Sequence, residues 1–170
     1  MTARRVVVLT VAAVLFLGGL GTGVKLLTAS ADTVTAAPTC EDKTVNAGEK
    51  LTSNLVTVNV FNASRRAGLA NRVTINLQRN GFLGGQIGNS TSAAKPSRVA
   101  ILTSDRNDPR VKLVAAQFHD QVTYAEPDIK VDSGVTVIVG DDYTGLKKKA
   151  ESSVTASQAV TMCVPTVQLP

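Results

Sequence analysis

The sequence predicts an α/β domain of the α+β kind: a small βαββαβ sandwich with two helices on one face of a mixed or antiparallel sheet, placed after one N-terminal transmembrane helix. Three observations predict it. Val56, Val58 and Val60 alternate with Thr57, Asn59 and Phe61, the two-residue period of a strand. Residues 98–103 and 135–139 are short apolar runs rich in Val and Ile, which also read as strands. Between them, Leu69, Val73 and Leu77 with Ala70, and then Val111, Val114, Ala115, Phe118 and Val122, recur at helical spacing, so each stretch buries one face.

The elements follow in order along the chain. Residues 1–5 carry Arg4 and Arg5, and residues 6–27 form an apolar run of 22 residues interrupted only by Lys25. That length crosses the roughly 30 Å of bilayer hydrocarbon as a helix. The two arginines hold the short N-terminus in the cytoplasm and place the rest of the chain outside, as a single-pass protein of the cell membrane. A second reading is a cleaved signal, since Ala29-Ser30-Ala31 has the small-x-small pattern. The apolar run exceeds the roughly 7 to 15 residues of a signal core, which favours a retained anchor.

Residues 28–53 show no apolar period and read as an extracytoplasmic linker; the domain is expected over residues 54–145. A turn-rich loop, 62–68, opens into the first helix, and Asn80-Gly81 stops it, because glycine just past the end accepts left-handed geometry. Three glycines within residues 82–88 mark an irregular strand at an edge or bulge. Asp108 suits a helix cap and Pro109 the first helical position. Pro127 ends any continuation, and Gly140-Asp-Asp-Tyr143 closes the last strand. Residues 146–170 form a C-terminal tail, in which 146–162 read either as a short basic helix or as an ordered path returning Cys163 to Cys40.

The net charge of +5 falls to +2 for residues 28–170, where 15 Lys and Arg face 13 Asp and Glu. With four Phe, two Tyr and no Trp there are few stacking platforms, and nucleic acid is not an expected partner. Export plus two cysteines favours a Cys40–Cys163 disulfide, with two unpaired thiols as the other reading. The bridge would close a loop of roughly 124 residues. One histidine and two cysteines make no zinc site, so neither metal nor cofactor is expected.

Val58-Asn-Val-Phe-Asn-Ala-Ser64, then Gly68-Leu-Ala70, then Leu77 and Gly81-Phe82 resembles the opening of the LytR C-terminal domain family. Val137-Ile-Val-Gly-Asp-Asp-Tyr143 is similar to that family's closing strand, and the likeness spans residues 55–145. The resemblance implies an envelope role. The domain is often appended to LytR-CpsA-Psr enzymes, which transfer wall polymers from a polyprenyl phosphate carrier to peptidoglycan. It also occurs alone behind one membrane segment in actinobacteria, in proteins linked to envelope integrity, and this chain resembles that type. The transferase's Arg- and Asp-rich phosphate site has no counterpart here, and the resemblance carries across no catalytic residue.

The strongest candidate site is the loop 62–68 with the helix that follows. Asn62, Ser64 and Gly68 sit where a helix start offers unpaired N–H groups to an anion. Arg65 and Arg66 stand beside them, and Arg72 and Arg79 follow at seven-residue intervals on the helix's exposed side. The plainer reading is a tight turn and a solvated basic face. Asp141 and Asp142 suit turn chemistry better than a metal or acid–base pair, because adjacent residues on an extended chain point apart. His119 has no evident nucleophile partner, and residues 147–149 are a lysine run suited to solvent or anionic lipid.

The expected function is non-catalytic: support of cell-envelope integrity or wall assembly by binding a cell-wall polymer, an anionic lipid or an envelope protein. Two alternatives stand beside it. One is an enzyme of wall-polymer transfer with an unrecognised site. The other is a purely protein–protein regulatory module that pairs through a strand edge near Gly84 and Gly85.

Overall fold

The computed structural model describes residues 40–119 and 121–166. The expected transmembrane segment, 6–27, and the first part of the linker lie outside the described residues. No described helix is long and apolar enough to cross a membrane.

Strand β1 (Cys40–Val45) and strand β2 (Lys50–Thr52) lead through a 3-10 turn at Ser53–Leu55 into β3 (Thr57–Asn62). Then come α1 (Leu69–Arg79), β4 (Leu83–Asn89), β5 (Val99–Leu102), α2 (Pro109–Ala115), β6 (Thr123–Ala125), β7 (Val135–Val139), β8 (Ser153–Thr155) and β9 (Val160–Pro165). A five-stranded sheet in the order β4-β3-β7-β5-β6 forms the centre. Its two halves run oppositely: β4, β3 and β7 are parallel, while β5 is antiparallel to β7 and parallel to β6. The sheet is therefore mixed.

The alternation in each strand sorts its residues between two faces. Val58, Val60, Ile101, Val135 and Val137 merge into one apolar cluster with Leu69, Val73 and Leu77 of α1 and Val111 and Val114 of α2. Both helices thus cover one face, as expected. On the other face Ala100, Leu102 and Ile138 are covered by loops carrying Ala94 and Ile129. Those loops are pinned together by Asp128, whose carboxylate accepts the Ala93 amide at 2.7 Å and the Ser92 hydroxyl at 3.0 Å. Covered on both sides, β5 and β7 read as the near-continuous apolar runs of a doubly protected sheet.

Both helix ends follow local chemistry. The Asp108 carboxylate accepts the Arg110 amide at 2.8 Å, with Pro109 in the first turn. At the end of α1, Gly81 takes φ 91°, its amide meets the Gln78 carbonyl at 2.9 Å, and the Phe82 amide meets the Leu77 carbonyl at 3.1 Å. This pair of bonds is the Schellman closure, completed by the buried Phe82 and Leu77.

Four local expectations change. First, α2 ends at Ala115 rather than continuing through Phe118 to Val122. Gln117, only 1% exposed, turns its side chain to the Leu113 carbonyl (3.1 Å), the Glu151 carbonyl (2.8 Å) and the Asn80 amide group (3.1 Å). Its own carbonyl accepts Lys147 N at 2.8 Å, and Phe118 bridges Leu146. The tail thus takes over the bonds a longer helix would have used. Second, β6 was not expected; its three residues join the sheet edge only through β5.

Third, β1 and β2 occupy residues read as linker, and fourth, β8 and β9 occupy the tail, where the helical option fails. β1 pairs antiparallel with β9 and β2 with β8, so each segment supplies the other's ladder. Their inward residues Val45, Leu51, Val160 and Met162 are buried in the main cluster. Cys40 and Cys163 lie diagonally across the β1–β9 ribbon, Cα atoms 5.4 Å apart, and form a disulfide.

Edge strand β4 carries the expected irregularity. Register shifts between Val58, opposite Gly84, and Val60, opposite Ile87. Asn59, 2% exposed, fills the gap: its Oδ1 accepts the Gln86 amide and its Nδ2 donates to the Ser133 carbonyl, both at 2.8 Å. A side chain therefore replaces the missing rung of backbone.

Candidate functional site

Because β3 and β7 are parallel neighbours, with Asn62 level with Val139, the loops leaving their C-terminal ends emerge side by side. The loop 62–68 and the turn Gly140-Asp-Asp-Tyr143 consequently form one surface. Such crevices at strand C-termini are where open α/β sheets commonly place ligands.

The side chains within the loop bond chiefly to one another. Asn62 Oδ1 accepts the Ser64 amide at 3.0 Å and the Ser64 hydroxyl at 2.7 Å, while Asn62 Nδ2 donates to the Arg66 carbonyl at 3.0 Å. Ser64 Oγ in turn accepts the Arg66 amide at 3.1 Å. These bonds form an Asx turn that shapes the loop from within. Gly68 precedes α1 with φ 70° and leaves the helix without a side-chain cap.

A carboxylate from the chain itself meets this loop. Asp141 Oδ1 accepts the Arg65 amide at 2.9 Å, and Asp141 Oδ2 accepts Arg65 Nε at 3.2 Å. The backbone bond from Arg65, joined by the positive charges of Arg65 and Arg66, holds the Asp141 carboxyl below its ordinary range. Arg66 Nη1 donates to the carbonyls of Tyr143 (2.9 Å) and Asp141 (3.5 Å). The Asp142 amide bonds to the Ser97 carbonyl at 2.8 Å, and the Tyr143 ring meets Phe118 edge to face at 6.3 Å. The turn is thereby fixed to the loop on one side and to the core on the other.

The expected arginines divide in two. Arg65 and Arg66 join the loop-and-turn clamp, whereas Arg72 and Arg79 lie farther along α1. All four are exposed. The Arg65 side chain is 92% exposed even in its ion pair, so the pair itself adds little stability. Arg72 reaches the Ala67 carbonyl at 3.4 Å and Arg79 the Asn76 side-chain oxygen at 3.5 Å, both long bonds to neutral oxygens that leave the positive charge uncancelled. No acidic residue occurs between Leu51 and Ser104, a stretch that holds these four arginines together with Lys95 and Arg98.

The remaining candidates do not converge on the clamp. His119 is exposed, and its amide bonds to the Gly145 carbonyl at 3.4 Å. Residues 147–149 lie exposed in the non-helical segment after Leu146. Among the described residues, no three His, Cys, Asp or Glu side chains gather as a metal site requires. The pairing of Arg65 with Asp141 was missed in the sequence. No local signal announces it, because the two polar loops become a single surface only when β3 and β7 are parallel neighbours.

A family model described as the LytR cell envelope-related transcriptional attenuator matches residues 55–143. That interval contains the five-stranded sheet, both helices, the loop and the clamping turn. No curated protein matches the chain. Among solved structures, it is similar to the soluble domain of a conserved hypothetical secreted protein from Mycobacterium marinum. The two are 21% identical, with a TM-score of 0.47, over 61% of this chain and 78% of that one.

Proposed function

Since the chain belongs to the LytR C-terminal domain family, we propose that it serves the cell envelope as a non-catalytic domain held outside the membrane by its N-terminal segment, and that it binds an anionic wall polymer or lipid headgroup. The observation that carries this reading is the exposure of Arg65, Arg66, Arg72 and Arg79, drawn from a stretch of chain with no acidic residue. Polyanions bind such surfaces through summed Coulomb attraction, which salt screens over roughly 8 to 10 Å at physiological strength. The Cys40–Cys163 disulfide supports an oxidising compartment. The engagement of Asp141 by Arg65 supports a binding role over catalysis, because that carboxylate is committed to holding the loop.

Co-sedimentation of residues 32–170, oxidised, tests the reading with anionic vesicles and with peptidoglycan carrying or stripped of its anionic polymers. Binding that weakens with salt and is lost when all four arginines become glutamine is the expected result. Retention in that variant, or no binding to any of these surfaces, overturns it.

A further inference from the structure

We propose that the open edge of β4 is a docking strip for an extended, carboxylate-bearing segment of a partner protein, which adds to the sheet as a further strand. Among the described residues β4 ends the strand order, and only its β3 side is paired in the sheet. The amides of Leu83, Gln86 and Ser90 all point inward, to the Val56 carbonyl, the Asn59 side chain and the Asn62 carbonyl. The alternation of a strand, stepped by the bulge, therefore turns the backbone groups of Gly84, Ile87 and Asn89 outward.

Edge strands usually carry protection: a lysine, a proline, an inward charge or a bulge that twists the edge away. β4 reads Leu-Gly-Gly-Gln-Ile-Gly-Asn, with neither charge nor proline. Its bulge faces β3, where the Asn59 side chain fills it.

Apolar side chains flank the same strip. Ile87 is 47% exposed and Ile75 is 40% exposed, the two large apolar residues left open among those described. Ile87 is on the helix face, level with Val60. Thr74 and Gln78 of α1 pack over Gly84, so Ile75, one residue past Thr74, lies on the outer flank of that contact. A strand laid along β4 would gain main-chain bonds from the edge and apolar contact from Ile87, the usual division of labour in strand addition.

Charge selects the occupant. The whole β3-α1-β4 unit lacks acidic residues, and the helix that packs over β4 exposes Arg72 and Arg79. A second copy paired β4 to β4 would bring like charges together, which is unfavourable, whereas alternate carboxylates on an incoming strand would find complementary charge.

The experiment uses the oxidised domain and two short capped peptides, one alternating valine or threonine with glutamate and the other with lysine in place of glutamate. Amide NMR shifts and fluorescence anisotropy report the site and the affinity. The glutamate peptide is expected to perturb Gly84, Ile87 and Asn89 foremost, and to bind at least tenfold tighter than the lysine peptide. Ile87→Pro removes an outward amide without touching the β3 ladder, and Ile87→Glu adds a like charge. Each should weaken binding at least tenfold with an unchanged thermal midpoint, and each should leave vesicle co-sedimentation intact. Overturning results are absence of binding, equal binding of the two peptides, or shifts confined to the loop 62–68. Dimerisation in sedimentation velocity that Ile87→Pro abolishes would also overturn it, in favour of a second copy. Because vesicle binding is read separately, failure here and failure of the anion-binding reading are distinguishable.

Discussion

Arg65 and Asp141, 76 residues apart in sequence, meet through two bonds, one from the Arg65 backbone amide and one from its guanidinium. The backbone bond matters more to the fold than the ion pair. It is insensitive to the identity of residue 65, and it locks the loop before α1 onto the turn after β7. Arg65→Ala should therefore leave stability within about 0.5 kcal/mol of the parent, as an exposed ion pair implies. Asp141→Ala should lose protection of the Arg65 amide in hydrogen exchange. Loss of that protection in Arg65→Ala as well would show that the guanidinium, not the amide, holds the turn.

The pH dependence has a defined sign. The carboxyls of Asp141, Asp105, Asp128 and Glu49 are all held below their ordinary values, chiefly by hydrogen bonds to backbone amides or, for Asp105, to the Gln158 side chain. A depressed folded-state value gives stability that is fully present above the unfolded value, near about 4. It is lost as pH falls through the folded values. Urea midpoints are expected to be flat from pH 7 to about 5 and to fall below about 4. Asp128→Asn should flatten that fall, since one of the four groups no longer titrates.

Gln117 ties α2, the end of α1 and the tail together from a buried position. Gln117→Leu keeps the bulk but frees the Glu151 carbonyl and the Asn80 amide group. A loss of about 1 kcal/mol is expected, the usual net worth of hydrogen bonds whose freed partners, here the exposed Glu151 and half-buried Asn80, can regain water. Equilibrium urea unfolding measures it.

The disulfide joins residues 123 apart in sequence. Chain-entropy reasoning gives its removal a cost of about 4 to 5 kcal/mol as an upper figure. The double variant Cys40→Ser with Cys163→Ser should unfold at markedly lower urea, with hydrogen exchange rising first in β1 and β9. An unchanged midpoint would mean that the ribbon is held by its ladder alone.

Two glycines of the clamp should fail for different reasons. Gly68 has open space around it but sits at φ 70°, so Gly68→Ala costs about 1 kcal/mol of backbone strain and Gly68→Asn less. At Gly140 an added Cβ would collide with the backbone carbonyls of Pro96 and Ser97, which cannot swing aside. Gly140→Ala should cost about 1 to 3 kcal/mol, as overpacking does. Thermal melts of the three variants give the order.

The sequence by itself determined the helix-covered core, because its signals are local. A two-residue period places Val58 and Val60 on one face, a helical period aligns Leu69, Val73 and Leu77, and Asp108-Pro109 and Asn80-Gly81 mark helix ends through their own backbone chemistry. The two cysteines also announced their pairing, since export and number limit the choices. Only the tertiary structure decided the rest, since it depends on partners distant in the chain. Cys40–Val45 is a polar strip that becomes a strand when β9 supplies its hydrogen bonds. Helix α2 stops where the tail takes the backbone of Gln117. The arginines of the loop 62–68 looked like an anion site, yet Asp141 reaches Arg65 because parallel pairing of β3 and β7 sets their C-terminal loops side by side. Periodicity reports which way a side chain faces; it does not report which distant group it will meet.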